Sequence, residues 1–239
     1  VSSAPTIGID GLNRPIVTWG YGAASALNRE IYVRHFDGTN WQELGAGSAS
    51  GGGISGTADD DSAGPQLGFD ASGAPVIVWI EATSALTGNI YAQRFDGVNW
   101  QEMGAGSASG AGISTGTAVF RVGPKIATSS AGDLVVGWTD FDDIAHTTWT
   151  SALVRFNGAT WESAASTPPA ISIDALAIGP ASELYVAASS GGEILVQRYV
   201  GGTWQEMGAG SSSAAGISRN PGDSLAPDLV LDSTQHLVA

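Results

Sequence analysis

The chain has 239 residues, no cysteine and eight tryptophans, and 9 Lys plus Arg against 23 Asp plus Glu give a formal net charge of −14. Such an acidic balance repels nucleic acid and anionic membrane surfaces, so neither is expected as a partner; it suits cations, neutral sugars, basic partners or plain solubility outside the cell. Without cysteine there is neither a disulfide framework nor a thiolate metal site, and no apolar run approaches the roughly 20 residues of a membrane span.

Taken in chain order, short apolar alternations of strand period are separated by turn chemistry. The first four are PTIGI (5–9), PIVTW (15–19), IYVRHF (31–36) and WQEL (41–44). They return as PQLGF, PVIVW, IYAQRF and WQEM, then as PKIAT, LVVGW, ALVRF and WES, and again as ALAIG, LYVAA, ILVQRY and WQEM. DGLNR, DASGA, SSAGD and GPASE join the first and second runs, where Gly, Asp and Asn tolerate the backbone of a tight reversal. No segment carries the three-and-four apolar spacing of a helix. Four short antiparallel strands per unit, repeated, is the pattern of propeller blades. The expected fold is therefore an all-β propeller of four-stranded antiparallel blades, spanning about 4–55, 64–114, 123–172 and 173–218, with a fifth begun at 226–239. Further blades of the same polypeptide, or another chain, are expected to close the ring and remove its edges.

The tryptophans that open the fourth runs are Trp41, Trp100, Trp161 and Trp204, and Asp37-Gly38 and Asp96-Gly97 precede the first two. A glycine allows the turn, the carboxylate can accept backbone N–H groups across it, and the indole is expected to pack between blades. This hairpin resembles the Asp-box of sialidase-type and related secreted propellers, in degenerate form: Asp and Gly are adjacent, His35, Arg94, Arg155 or Arg198 stands at the Ser/Thr position, and the acid becomes Asn157 and Val200 in the later units. The resemblance implies a secreted or cell-surface protein in which these residues build the fold, away from the binding face.

Function is then expected at the opposite end of the blades. The segments GYGAASALNRE (20–30), IEATSALTGN (80–89), TDFDDIAHTTWTS (139–151) and SSGGE (189–193) read as second-to-third-strand loops that differ in length and chemistry over a repeated scaffold. Tyr21, Arg29, Glu81, Asp140, His146 and Trp149 are the candidate ligand-binding residues. Asp140, Asp142 and Asp143, with His146 nearby, could hold calcium through carboxylate oxygens, as could Asp59-Asp60-Asp61, although consecutive carboxylates are more often a solvated loop. No other cofactor is expected. GAGSASGGGIS (45–55), with near copies at 104–114 and 208–218, reads as a structural crossover anchored by Ile54, Ile113 and Ile217, with a repeated shallow site for a sugar or peptide as the alternative. No Lys-Ser/Thr follows it, which argues against a nucleotide loop.

Catalysis is not expected. Arg94, Arg155 and Arg198 share one strand position, and Arg29 and Arg121 are too few for the arginine cluster that a sialidase resemblance would require. Glu81 with Asp140 is the one carboxylate pair considered for glycoside hydrolysis. The sequence points to an extracellular or cell-surface module that recognises a glycan or a protein; a purely structural or assembly role is the alternative.

Overall fold

The computed structural model describes residues 2–22, 28–57, 60–84, 87–114, 116, 118, 120–142, 148–168, 172–213, 216–219, 222–232 and 236–238. The first sheet holds β1 (Ser2–Ile9), β2 (Pro15–Tyr21), β3 (Glu30–Phe36) and β4 (Trp41–Glu43). The second holds β5 (Asp61–Phe69), β6 (Pro75–Ser84), β7 (Thr87–Phe95) and β8 (Trp100–Glu102), and the third β9 (Phe120–Thr128), β10 (Leu134–Phe141), β11 (Trp149–Phe156) and β12 (Trp161–Ser163). The fourth consists of β13 (Ala175–Ile178), β14 (Leu184–Ser190), β15 (Glu193–Val200) and β16 (Thr203–Glu206). A two-stranded sheet, β17 (Val230–Leu231) with β18 (Leu237–Val238), begins a fifth. Every sheet is an antiparallel meander in chain order, and no helix occurs among the described residues.

Side chains alternate between the two faces of each strand, so each blade offers one face to its predecessor and the other to its successor. In β6, Ile77 and Trp79 pack on Ile16, Ile31, Val33, Leu44 and Ile54 of blade 1, whereas Val76 and Val78 pack on Leu134, Val136 and Trp138 of blade 3. This two-sided burial is why the second strands read as continuous apolar runs. First strands of successive blades touch, β1 with β5, β5 with β9 and β9 with β13, which places them along the inner side of the stack.

The turns at the other end are built locally. Asp37 Oδ1 accepts the Thr39 and Asn40 N–H groups, both at 2.7 Å, Asp96 Oδ1 those of Val98 and Asn99, both at 2.8 Å, and Asn157 Oδ1 those of Ala159 and Thr160, at 3.0 and 2.9 Å. These backbone donors hold the exposed Asp37 and Asp96 carboxyls below their ordinary range. In blade 4, where Val200 replaces the acid, Gly201 and Gly202 both adopt positive φ and close a two-residue reversal without it. Three of the tryptophans bridge blades: Trp100 Nε1 donates to Leu44 O, Trp161 Nε1 to Met103 O and Trp204 Nε1 to Ser166 O, at 2.7, 2.7 and 2.8 Å.

Several expected boundaries move. β1, β5 and β9 extend ahead of Pro5, Pro65 and Pro124, because each proline falls at a break in register, where a missing N–H breaks no ladder. The supposed loops at 80–89 and 139–151 are partly strand: β6 and β7 pair as far as Ser84 with Thr87, and β10 reaches Phe141 opposite Trp149. Nor is the glycine-rich segment simply a crossover. It folds back along its own blade, where Val33 N donates to Ser48 O and Ile54 N to Ile31 O, so it covers the edge of β3 that the three-residue β4 leaves bare. The same bonds join Ser107 with Ala92, Ile113 with Ile90, Ser211 with Val196 and Ile217 with Ile194. At Gly53 and Gly112 a Cβ would stand 2.1 Å from the accepting carbonyl, so only glycine permits this approach. Ile54 and Ile113 are buried anchors as expected; Ile217 is exposed, because the short β17–β18 pair does not cover it.

Candidate functional site

The start of each first strand, the end of each second and the start of each third lie together, as the registers Asp61 with Ala82, Ala82 with Gly88, and Arg121 with Asp140 require. Buried charge gathers at this end. Between blades 1 and 2, Arg29 gives Asp61 three bonds, from its backbone N at 3.1 Å, Nε at 2.8 Å and Nη2 at 2.5 Å, while Arg29 O accepts the Ser62 N–H at 2.8 Å. The Arg29 side-chain hydrogen bonds hold the Asp61 carboxyl below its ordinary range.

Glu81 is fully buried on β6. Its Oε2 accepts Trp79 Nε1 at 2.7 Å and Ser62 Oγ at 2.8 Å, and its Oε1 accepts Thr57 Oγ1 at 2.9 Å. All three donors are neutral, and burial pushes its carboxyl up despite them. Asp140 occupies the matching place on β10, two residues after Trp138, whose Nε1 reaches Asp140 Oδ1 at 2.7 Å. Here a cation is present: Arg121 Nε lies 3.1 Å from that oxygen, and Arg121 Nη1 donates to Gly88 O and Asn89 Oδ1 of blade 2 at 3.0 and 3.1 Å. Burial raises the Asp140 carboxyl, and the Arg121 charge opposes the shift.

Of the expected ligand-binding residues, then, Glu81 and Asp140 are buried strand residues rather than loop residues, and Arg29 is bound to Asp61. Tyr21 stands apart, edge-on to Tyr32 with ring centroids 6.0 Å apart, on the exposed face of blade 1. Trp149 opens β11 opposite Phe141, and His146 lies outside the described residues. For calcium, Asp143 and Asp59 also lie outside them, Asp61 and Asp140 each face an arginine, and no group of three or more metal-ligating side chains occurs among the described residues. The sequence reading missed Asp61 and Arg121 as partners, although the shared Trp-x-acid spacing at Trp79–Glu81 and Trp138–Asp140 was a visible signal.

A cavity of about 410 Å³ opens one seam further on, between blades 3 and 4 and the start of the fifth. Lys125, Thr139, Phe141, Ser172, Asp174 and Pro227 line it. Lys125 shares its face of β9 with Ala127, which packs on blade 4, and so it faces the seam. Asp174 Oδ2 accepts the Ser189 N–H at 2.7 Å, and Thr139 Oγ1 that of Ile173 at 3.3 Å, which fixes both side chains at the rim. The combination is one cation, one carboxylate, hydroxyls and an aromatic ring in a space of ligand size.

No protein-family model matches the chain, and no curated protein matches its sequence. Solved structures do share its fold. A Hadza microbial sialidase aligns over 86% of this chain and 46% of its own, at 14% identity and a TM-score of 0.59. Penicillium chrysogenum alpha-L-arabinanase, complexed with arabinobiose, aligns over 96% and 68% at 12% identity and TM-score 0.57. A Dyadobacter fermentans protein of unknown function aligns over 87% and 69% at 14% identity and TM-score 0.56. The chain is a β-propeller structure of four complete blades and the beginning of a fifth. At such identities the likeness concerns the fold alone, and the chain spans less than half of the sialidase.

Proposed function

We propose that this chain is a non-catalytic binding module, working outside the cell or on its surface, that takes a neutral glycan in the cavity between blades 3 and 4. The observation that carries the reading is that cavity's lining. Phe141 brings aromatic surface to the lining, while Lys125, Thr139, Ser172 and Asp174 bring donors and acceptors for a sugar's hydroxyls. A net charge of −14 disfavours acidic glycans at long range, which leaves neutral ones. Two neighbours of like fold have names that refer to sugar chemistry, a sialidase and an alpha-L-arabinanase, which supports a glycan as the ligand class, while the choice of a neutral one rests on the charge. Binding is preferred to turnover because Glu81 and Asp140 are buried and already occupied, Glu81 by three hydrogen-bond donors and Asp140 by Trp138 and Arg121.

The test is a glycan array that carries neutral arabino-oligosaccharides beside sialylated glycans, followed by calorimetric titration of any hit. Neutral hits that weaken at least tenfold in Lys125→Ala and in Phe141→Ala are expected. An array without hits, or hits indifferent to both substitutions, would remove this reading.

A further inference from the structure

One seam of the stack stays open at the turn end. Between blades 2 and 3 the β9–β10 turn presses so closely on the β5–β6 turn that a Cβ at Gly132 would stand 2.2 Å from that of Ala71, and between blades 3 and 4 Ser182 Oγ donates to Asp133 Oδ2 at 2.6 Å. Between blades 1 and 2, both of them four-stranded, a Cβ at Gly73, the counterpart of Gly132, would meet nothing within 4 Å. A cavity of about 730 Å³ occupies this seam. It lies at the opposite end of the blades from the cavity between blades 3 and 4.

Position 35 accounts for the room. His35 shares its face of β3 with Ile31 and Val33, which pack toward blade 2, so the imidazole faces this seam. Arg94, Arg155 and Arg198 hold the same position in the other blades. Arg94 reaches Asp70 and Ser72 in the β5–β6 turn of its own blade. The imidazole is shorter, and in blade 1 it is Arg14, from the turn itself, that bonds Asp10 Oδ2, through Nε at 2.9 Å and Nη2 at 2.8 Å. His35 Nδ1 is left buried with no hydrogen-bond partner among the described residues, a costly condition for a polar atom. Arg155 Nε and Arg198 Nε share that condition, so blade 1 differs in the space beside the nitrogen.

The rest of the lining narrows the class of ligand. Ile16, Leu44, Pro75 and Phe95 supply apolar walls. The carboxylates of Asp10, Glu43 and Asp96 already accept backbone N–H groups, which leaves little for an ammonium ion. Asp10 neutralises Arg14, and the net charge of −14 works against an anion. What remains is an imidazole nitrogen, an acceptor when Nε2 carries the proton, beside the Arg14 N–H groups that Asp10 does not take. A hydroxyl can donate to the first and accept from the second. A phenolic O–H donates more strongly than an alcohol's, and its ring suits apolar walls. We propose that this cavity is a second binding site and takes a small neutral phenol, with the ring among Ile16, Leu44, Pro75 and Phe95 and the hydroxyl donating to His35 Nδ1.

Calorimetric titration of the 239-residue chain with phenol and with anisole, whose methyl ether cannot donate, tests this beside the ¹⁵N shift of the His35 ring. Phenol is expected to bind at one site and to move that shift, and anisole to bind about tenfold more weakly, the order expected when a buried acceptor goes without its donor. His35→Phe removes the acceptor and keeps an aromatic ring, and should bring phenol down to the level of anisole. His35→Arg installs the residue of the other blades and should abolish binding of both, with urea unfolding close to wild type. Lys125→Ala and Phe141→Ala should leave phenol binding unchanged. Equal affinities for phenol and anisole, phenol binding that survives both His35 variants, or an unmoved His35 shift overturns the proposal. So does the absence of saturable binding, and so does its loss in Phe141→Ala, which would give phenol to the other cavity.

Discussion

The seam between blades 1 and 2 and the seam between blades 2 and 3 solve one problem with opposite arrangements. In the first, the arginine is on the earlier blade and the acid on the later, so the Arg29–Asp61 pair itself crosses the boundary. In the second, Arg121 and Asp140 both belong to blade 3, and the crossing is made by bonds from Arg121 to Gly88 O and Asn89 Oδ1. The Arg121 side chain is 5% exposed, the Arg29 side chain 34%. Between them sits Glu81, buried with neutral donors alone. The repeat therefore dictates where strands and tryptophans go, while the charges at the loop-bearing end are set seam by seam. That is the end at which each blade departs from its copies.

Removing the deeper cation should have the largest effect. Arg121→Ala leaves Asp140 buried with, among the described residues, only the Trp138 indole N–H on its carboxylate, and removes the Arg121 donor from Gly88 O and Asn89 Oδ1 of blade 2. Breaking a buried ion pair by deleting one partner typically costs about 3 to 5 kcal/mol. Urea unfolding should show a loss of that order, and Asp140→Asn in the same chain should recover part of it by removing the stranded charge. If the double substitution is as unstable as the single one, Arg121 acts through its packing and carbonyl bonds alone, and the contrast between the seams disappears.

Arg29→Ala should cost less, because water already reaches the guanidinium and the Arg29 backbone N–H stays on Asp61. Its signature is in acid. Asp61 is held below its ordinary value of 3.8, so the folded state binds fewer protons than the unfolded one, and the pair's contribution is present above that value and lost as pH falls through the folded one. The variant should unfold at a higher pH than wild type on acid titration. Coincident acid transitions would show that the pair contributes nothing to holding blades 1 and 2 together.

How far these seams could be read in advance follows from the range of the signals involved. Trp41, Trp100, Trp161 and Trp204, and the period-two runs before them, are local, and they announce four-stranded blades. The edge cover made by Ser48, Ile54 and their repeats is not local in that sense; a stretch rich in glycine and serine reads as a link because nothing in it names its acceptor. Glu81 and Asp140 look like loop residues, since acids seldom end buried strands. The indole two residues before each supplies the bond that lets them, and Ser62 and Arg121 complete the arrangement from another strand. Arg29 and Asp61 are 32 positions apart, and the cavity draws Lys125, Phe141, Asp174 and Pro227 from three blades, so neither site exists until the blades are stacked.

Glu81 supplies the smallest expected change at any one pH and the sharpest contrast with Asp61. Burial raises its carboxyl above the ordinary 4.5, so the folded state binds more protons than the unfolded one in the window that starts there. Its contribution is complete below that value and is lost as pH rises through the folded one, opposite in sign to that of Asp61. Glu81→Gln keeps an acceptor for Trp79 Nε1, and the hydroxyls of Ser62 and Thr57 can turn to accept from the new amide, so its stability near the bottom of the window should stay close to wild type. As pH rises the variant should gain on wild type, because the cost of an ionised, buried carboxylate without a cation falls on wild type alone. Urea midpoints measured from pH 4 to 8 would show the two curves diverging upward; parallel curves would mean that Trp79, Ser62 and Thr57 together neutralise the burial cost, and that Glu81 needs no cation where Asp140 does.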